Sequence, residues 1–373
     1  MDILQEILDA LQSEENVMLA TIISTNGSTP ASALSKMLVK NGGKKWLGTV
    51  GGGCVEGDVL QEAIRLFSGE AVAKILKFEL NETNIDQGLI CGGNLDVLVE
   101  QLSRRDIQLY SHLKAVREEG ADSVLAILIS AEGKVLGKYC VELSIDWNSG
   151  MMEWWNGIGS KSGLRKNALA EAVKRAHRRN ETELLKIEGG ELILEPVQGT
   201  PSLIIFGGGH VSKYVSRSAA MTGFRVTVVD DRPEYANAQR FPEATRTMAM
   251  DFNEALRQIE IKPSTYIVIV TRGHRSDEEI LGQVLLSPAK YIGMIGSQRK
   301  VTTTYEHLAE RGVSSELLKH VHAPVGIDIG ATTAEEIGIS VVAQLIAVRR
   351  GEVAKQKNKS DVMQKSIGEN TRM

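Results

Sequence analysis

The chain has 373 residues, of which 42% are hydrophobic and 24% charged, with a formal net charge of -4. That length exceeds one hydrophobic core, so two domains are expected, and the composition is that of an ordinary globular protein rather than a fibre or a disordered chain. The mildly acidic balance excludes the basic face of a nucleic-acid binder, and no apolar run approaches the ~18 residues that cross a bilayer.

The first residues, "MDILQEILDALQSEEN", are acidic and amphipathic rather than a basic-then-apolar leader, so a cytoplasmic location is expected. Ile3, Leu4, Ile7, Leu8 and Leu11 have helical spacing, and "NVMLATIIS" then reads as a buried strand. "GSTPASALS" is a loop, and "KMLVKNGGKKWLGTV" reads as two strands joined by an Asn-Gly-Gly turn. After "GTVGGG", residues Val55, Val59, Leu60, Ala63, Ile64 and Phe67 form one helical face. Strands are expected over 72–79 and 94–100, separated by "NETNIDQGLICGG". Between 101 and 197 lie the strand-like "SVLAILIS", "KYCVEL" and "ELILEPV" and a basic amphipathic helix near 163–180, with no motif for chemistry.

"PVQGTP" at 196–201 marks a domain boundary. Beyond it "SLIIFG", "RVTVVD", "TYIVIVT" and "KYIGMIG" are short, continuously apolar runs alternating with helical patterns, as in a parallel sheet buried on both faces. The fold class is therefore α/β: an N-terminal mixed α+β domain over 1–197, with its motifs in 16–100, and a C-terminal doubly wound Rossmann-like domain over 198–349. A polar tail, 350–373, follows.

Two glycine triplets stand out. Gly207, Gly208 and Gly209, running into His210, follow a strand and open a helix, and Asp230 ends the next strand. That context reads as a dinucleotide cradle, with Asp230 accepting from a ribose diol and so favouring NAD over NADP; Ser212 replaces the third glycine of the usual pattern. Loops at the ends of the later strands offer Arg272, His274, Asp277, Ser297 and Arg299 to the same crevice, Asp277 being equally readable as a first-turn acid. His320 and His322 read as ordinary helix-end residues, and Thr332 or Thr333 as the cap of a last helix with Glu335 or Glu336 in its first turn.

Gly51, Gly52 and Gly53 precede Cys54 at a loop-to-helix junction. A thiol there faces the positive end of a helix dipole, a setting for reactive cysteines, while Glu56 counters that field; a buried structural cysteine is the other reading. Cys91, followed by two glycines, raises a pocket shared by both thiols, whereas Cys140 carries no such signal. Three scattered cysteines make neither a disulfide framework nor a metal knuckle.

The strings "GSTP", "KMLV", "GTVGGGCVEGDV" and "ICGGNLDVLVE", then "IIFGGGHVSKYV", "VVDDRPEYANAQRFPEA", "YIGMIGSQRK" and "PVGIDIGATTAEEIGISVVAQLIA", resemble in content and order the xanthine dehydrogenase accessory protein family (XdhC/CoxI). The likeness covers roughly 16–100 and 201–349, and departs from the family at "ASALS", where a Pro/Gly-rich loop containing Arg is expected. It implies a maturation factor that binds the molybdenum cofactor, as molybdopterin or its dinucleotide, protects it during sulfur exchange by a cysteine desulfurase, and delivers it to a molybdenum hydroxylase apoenzyme. Cys54 and Cys91 become contacts to the molybdenum centre, and the crevice a seat for the pterin or its nucleotide extension. The alternatives are an NAD(P)-dependent oxidoreductase using the same crevice and a scaffold that bridges two enzymes. A homodimer is the default assembly, because symmetric pairs are commonest.

Overall fold

The structure is a computed structural model that describes residues 2–13, 16–67, 73–79, 93–143 and 164–351. It separates into two compact units, Met1–Gly199 and Thr200 onward. Most of the polar tail, 352–373, lies outside the described residues.

The first unit begins with α1 (Ile3–Gln12), whose first turn is capped by the Asp2 carboxylate accepting from Leu4 N at 3.1 Å. β1 (Val17–Asn26), β2 (Lys36–Lys40), β3 (Lys45–Gly48), β4 (Ala73–Glu79) and β5 (Asn94–Leu102) form an antiparallel sheet in the order β3-β2-β1-β5-β4. The expected turn between β2 and β3 is there, with Asn41 and Gly42 at φ of 51° and 63°. Period-two alternation gives the sheet two apolar faces. Met18, Ala20 and Ile22 pack on α2 (Gly53–Phe67), while Val17, Leu19 and Ile23 face α1 and α3 (Ile107–Glu118).

Residues beyond α3 build a second antiparallel sheet, ordered β7-β6-β9-β8, from β6 (Ser123–Ser130), β7 (Val135–Glu142), β8 (Glu183–Ile187) and β9 (Gly190–Val197). Leu125, Ile127 and Ile193 share the core of α1 and α3. Leu169, Ala172, Val173 and Ala176 of α4 (Lys166–Arg179) cover the other face. The stretch read from sequence as scaffold thus supplies the second sheet of a mixed unit, and α3 and β8 add elements that carried no signal.

In the second unit β10 (Ser202–Phe206), β11 (Arg225–Asp230), β12 (Arg246–Ala249), β13 (Thr265–Ile269), β14 (Tyr291–Met294) and β15 (Val321–His322) pair in parallel, in the order β12-β11-β10-β13-β14-β15. Ile204, Phe206, Ile267 and Ile269 face the core with α6 (Phe252–Gln258), α7 (His274–Val284) and α8 (Gln298–Glu310). Leu203, Ile205, Val226 and Val228 face α5 (His210–Met221) and α10 (Ala334–Arg349), with the short α9 (Ser315–Leu318) leading into β15. This is the doubly wound sheet expected from the apolar runs, and its order reverses between β10 and β13, the switch point where such sheets bind ligands. Thr333 caps α10 in a capping box with Glu336. His322, read as a helix-end residue, instead lies in β15, its ring stacked on Tyr291 at 4.5 Å; the short edge strand is set by pairing with β14, which periodicity over two residues cannot reveal.

Candidate functional site

At the carboxyl end of β10 the glycines of the second triplet have different duties. Gly207 has φ of 106°, and a Cβ there would stand 2.4 Å from Val270 O. At Gly208 a Cβ would stand 2.1 Å from Tyr235 O, so both positions exclude a side chain because main chain presses on them. Gly209 has nothing within 4 Å of its Cβ position. It precedes α5 without any side-chain cap, leaving first-turn N–H groups of the helix facing the open side, the arrangement that binds phosphate. His210, the first residue of α5, is exposed. Ser212, in place of the third glycine, is fully buried.

The reading of Asp230 changes. Its side chain is 2% exposed. Oδ1 accepts from Arg232 N at 3.1 Å and Nε at 2.8 Å, and Oδ2 accepts from Gly208 N at 2.7 Å and Arg232 Nη2 at 3.0 Å. Burial pushes this carboxyl up, but the Arg232 guanidinium and the two backbone N–H groups outweigh it and hold the group below its ordinary value. A carboxylate has about four lone-pair sites, and all are taken, so Asp230 organises the glycine turn instead of waiting for a diol. Arg232 also stacks on Tyr235 at 3.6 Å from the ring centroid, and Arg240 Nε donates to Gly208 O at 2.8 Å. Sequence reasoning passed over both arginines; the signal was the acid-acid-arginine run "DDR" directly after the strand.

After β13 and β14, the four residues Arg272, His274, Ser297 and Arg299 are exposed. Arg272 reaches Asp231 at 3.4 Å, His274 starts α7, and Ser297 caps α8 by accepting from Lys300 N. Asp277 lies in the first turn of α7, as one of its two readings has it, and is fully buried: it pairs with Lys300 and accepts from Thr271 Oγ1 at 2.6 Å and Thr271 N at 3.1 Å. Since a Cβ on Gly207 would also approach Thr271 Cα at 2.9 Å, this cluster adjoins the glycine turn. An open groove of about 500 Å³ near Asn253, Glu278, Gln283 and Arg311 includes none of these residues, so the site is identified by its polar geometry and not by concavity.

In the first unit Gly51, Gly52 and Gly53 have φ of 122°, 70° and 59°, left-handed conformations that favour glycine. A Cβ on Gly51 would stand 2.8 Å from Pro30 Cγ, whereas Gly52 and Gly53 face open space. Glu56, one turn into α2, accepts from Gly52 N at 3.1 Å and from Thr49 Oγ1, and Thr49 Oγ1 accepts from Gly51 N at 3.1 Å. The acid therefore holds the loop in shape. Cys54 sits half-buried in the first turn of α2, beside that open backbone. Loop 27–35 closes the other side, with Leu34 held at φ of 69° by donating from its N to Ile22 O at 2.9 Å. Gly93 packs between Asn26 O at the end of β1 and Ser28 O of that loop, each 2.5 Å from its Cβ position. Cys91 lies outside the described residues. Cys140 is buried in β7, paired with Leu125 of β6, and that burial pushes its thiol up to about 11.

Comparison with known proteins follows this division. A family model for the XdhC Rossmann domain matches residues 203–345, and one for the XdhC and CoxI family matches residues 10–79. The chain is 26% identical over 348 residues to a probable xanthine dehydrogenase subunit of Bacillus subtilis strain 168, covering 92% of this chain and 97% of that one. It is 22% identical over 347 residues to the molybdenum cofactor insertion chaperone PaoD of Escherichia coli K12, covering 93% and 88%. Protein YqeB of Escherichia coli K12 is 37% identical over 150 residues, 40% of this chain, and the match spans only 27% of that relative. The crystal structure of a xanthine dehydrogenase from Bacillus halodurans has the same fold, with a TM-score of 0.72 at 24% identity over 96% of this chain and 98% of that one.

Proposed function

The chain belongs to the XdhC and CoxI family, and on that premise we propose that it binds the molybdenum cofactor and acts as an accessory protein in maturing a xanthine dehydrogenase-type molybdenum hydroxylase. The carrying observation is Cys54, a half-buried thiol on the first turn of α2 beside Gly52 and Gly53, whose backbones face open space. A soft sulfur donor suits a molybdenum centre, and bare glycine backbone lets a flat ligand lie close.

In this reading Cys54 contacts the metal-bearing end and Gly51, Gly52 and Gly53 make room for it. Glu56 holds the loop, and Cys91 supplies a second thiol of the same kind. The turn Gly207, Gly208, Gly209 and His210, with Arg272, His274, Ser297 and Arg299 around the crevice, takes a phosphate-bearing group of the pterin, its nucleotide extension or NAD(P). The metal centre itself supplies the redox chemistry of the client. The clients and helpers are a hydroxylase apoenzyme and a cysteine desulfurase, in the cytoplasm, with the chain acting as a homodimer. The relatives named as an insertion chaperone and as a probable xanthine dehydrogenase component support an accessory role. For the oxidoreductase alternative, the Asp277 carboxylate is engaged by Lys300 and Thr271, which weighs against its use as an acid in the crevice.

The test is to co-express the chain with a molybdenum cofactor supply, purify it, and measure bound pterin by oxidation and fluorescence. Stoichiometric pterin in the wild type and loss in Cys54→Ser is the expected outcome. Absence of pterin from the wild type overturns the reading.

A further inference from the structure

An acid at the end of the second Rossmann strand ordinarily accepts a ribose diol and repels a phosphate. Here each Asp230 oxygen already receives two hydrogen bonds, and three of the four come from Arg232 in a bidentate pair plus its own N–H. The pair neutralises the charge that would repel a phosphate and removes the acceptors that would hold a diol.

The cations beside it are less completely satisfied. Arg232 is 22% exposed and lies on the Tyr235 ring, directing Nε and Nη2 at Asp230, while Nη1 makes no bond to Asp230. Arg240 lies 5.0 Å from the same ring centroid and spends its Nε on Gly208 O. Its Nη2 is buried and has no hydrogen-bond partner among the described residues. A buried guanidinium N–H without an acceptor is costly, so the position calls for an anion. Arg272 stands nearby on Asp231, which also lies 3.5 Å from Arg232 Nε. Two guanidinium groups, those of Arg232 and Arg272, thus meet the two carboxylates at the end of β11, and Arg240, which pairs with neither, adds its positive charge beside Gly208 at the uncapped start of α5.

We propose that the end of β11 is a phosphomonoester-binding corner, read by Arg232 and Arg240, and that the second unit selects ligands carrying a phosphate monoester over those carrying a free ribose diol. A phosphomonoester is close to a dianion at neutral pH and offers three acceptor oxygens to the two planar forks. Two sources share this chemistry: the 2'-phosphate of an NADP-type nucleotide and the free terminal phosphate of the pterin cofactor. The proposal rests on the crevice receiving a phosphate-bearing ligand and not on the molybdenum assignment.

Calorimetric titration of the full chain distinguishes the sources. In the nucleotide arm, NADPH and 2',5'-ADP are compared with NADH and 5'-AMP; in the pterin arm, molybdopterin with its free phosphate is compared with its dinucleotide form. The expected result is at least tenfold tighter binding of the phosphomonoester member in one arm. Arg240→Gln, which leaves the Asp230 pair intact, removes that gap, and Arg240→Lys restores part of it. Arg232→Ala frees Asp230 and shifts preference towards NADH. Equal affinities in both arms, tighter NADH than NADPH in the wild type, or a gap that survives Arg240→Gln overturns the proposal, as does absence of binding in both arms. A chain that copurifies with pterin yet shows no gap keeps the accessory reading and loses this one; a gap without copurified pterin does the reverse.

Discussion

Lys138 Nζ lies 2.6 Å from Glu100 Oε2, and the two side chains are 6% and 1% exposed. Asp106 Oδ1 stands 3.0 Å from the same nitrogen. Burial pushes the Glu100 carboxyl up, and Lys138 offsets only part of that; burial alone would lower the Lys138 ammonium, but Glu100 and Asp106 hold it above its ordinary value. Replacing a buried pair wholesale is often neutral, whereas removing one partner strands the other, at about 3–5 kcal/mol. Lys138→Met is therefore expected to lower the urea midpoint sharply, and Glu100→Gln added to it to recover part of the loss. An unchanged midpoint in Lys138→Met contradicts this account.

His322 gives the second unit a dependence on pH. Burial against Tyr291 holds the imidazole below its ordinary value. Below about pH 6.5 the unfolded chain takes up a proton that the folded chain resists. The His322 contribution is therefore present in full above that pH and is lost as pH falls towards the lower folded-state value. Thermal unfolding between pH 5 and 7.5 should show a smaller drop in Tm for His322→Gln than for the wild type; parallel curves would refute it.

Gly208 and Gly209 separate folding from binding. Gly208→Ala puts a methyl group 2.1 Å from Tyr235 O, and overpacking of this kind costs about 1–3 kcal/mol or more. Gly209 has φ of -69° and open space at its Cβ position, so alanine fits there. Gly209→Ala should keep the wild-type Tm and weaken ligand binding at the start of α5, while Gly208→Ala lowers Tm. Equal loss of stability in both variants would show the open side of Gly209 to be closed.

The thiols should differ in reactivity. Cys140 is 8% exposed and its thiol is pushed up to about 11, so at pH 8 it is both neutral and covered. In a Cys91→Ser background, a thiol reagent at pH 8 should modify Cys54 in the native protein and Cys140 only after denaturation. Labelling of native Cys140 at a rate matching Cys54 would be the contrary result.

The parallel sheet was legible because strands buried on both faces are apolar throughout, and "SLIIF" and "TYIVI" cannot be half-exposed strands. The placement of Cys54 was legible because "GGGC" joins a turn that tolerates only glycine to an amphipathic helix. What sequence did not carry was pairing across loops. Whether Asp230 meets a ligand or Arg232, and whether Asp277 faces the crevice or meets Lys300, depends on where irregular backbone places a cation. The second sheet of the first unit was legible in part: "SVLAILIS", "KYCVEL" and "ELILEPV" mark β6, β7 and β9, whereas β8 is a short strand without a fully buried residue, and its identity comes from pairing with β9.

The nature of the obstacle at each glycine governs how the chain can drift. At Gly207 and Gly208 the nearest atoms belong to the carbonyl groups of Val270 and Tyr235, which every amino acid possesses, so no compensating exchange elsewhere can make room. At Gly296 the obstacle is the methylene stem of Lys300, 2.8 Å from the Cβ position, a side chain whose ammonium is held by the buried Asp277. A genetic screen for second-site suppressors would therefore return only true revertants at the first two positions. At the third the obstacle is a side chain, so exchange of Lys300 would make room, but only together with Asp277, the buried carboxylate that its ammonium holds.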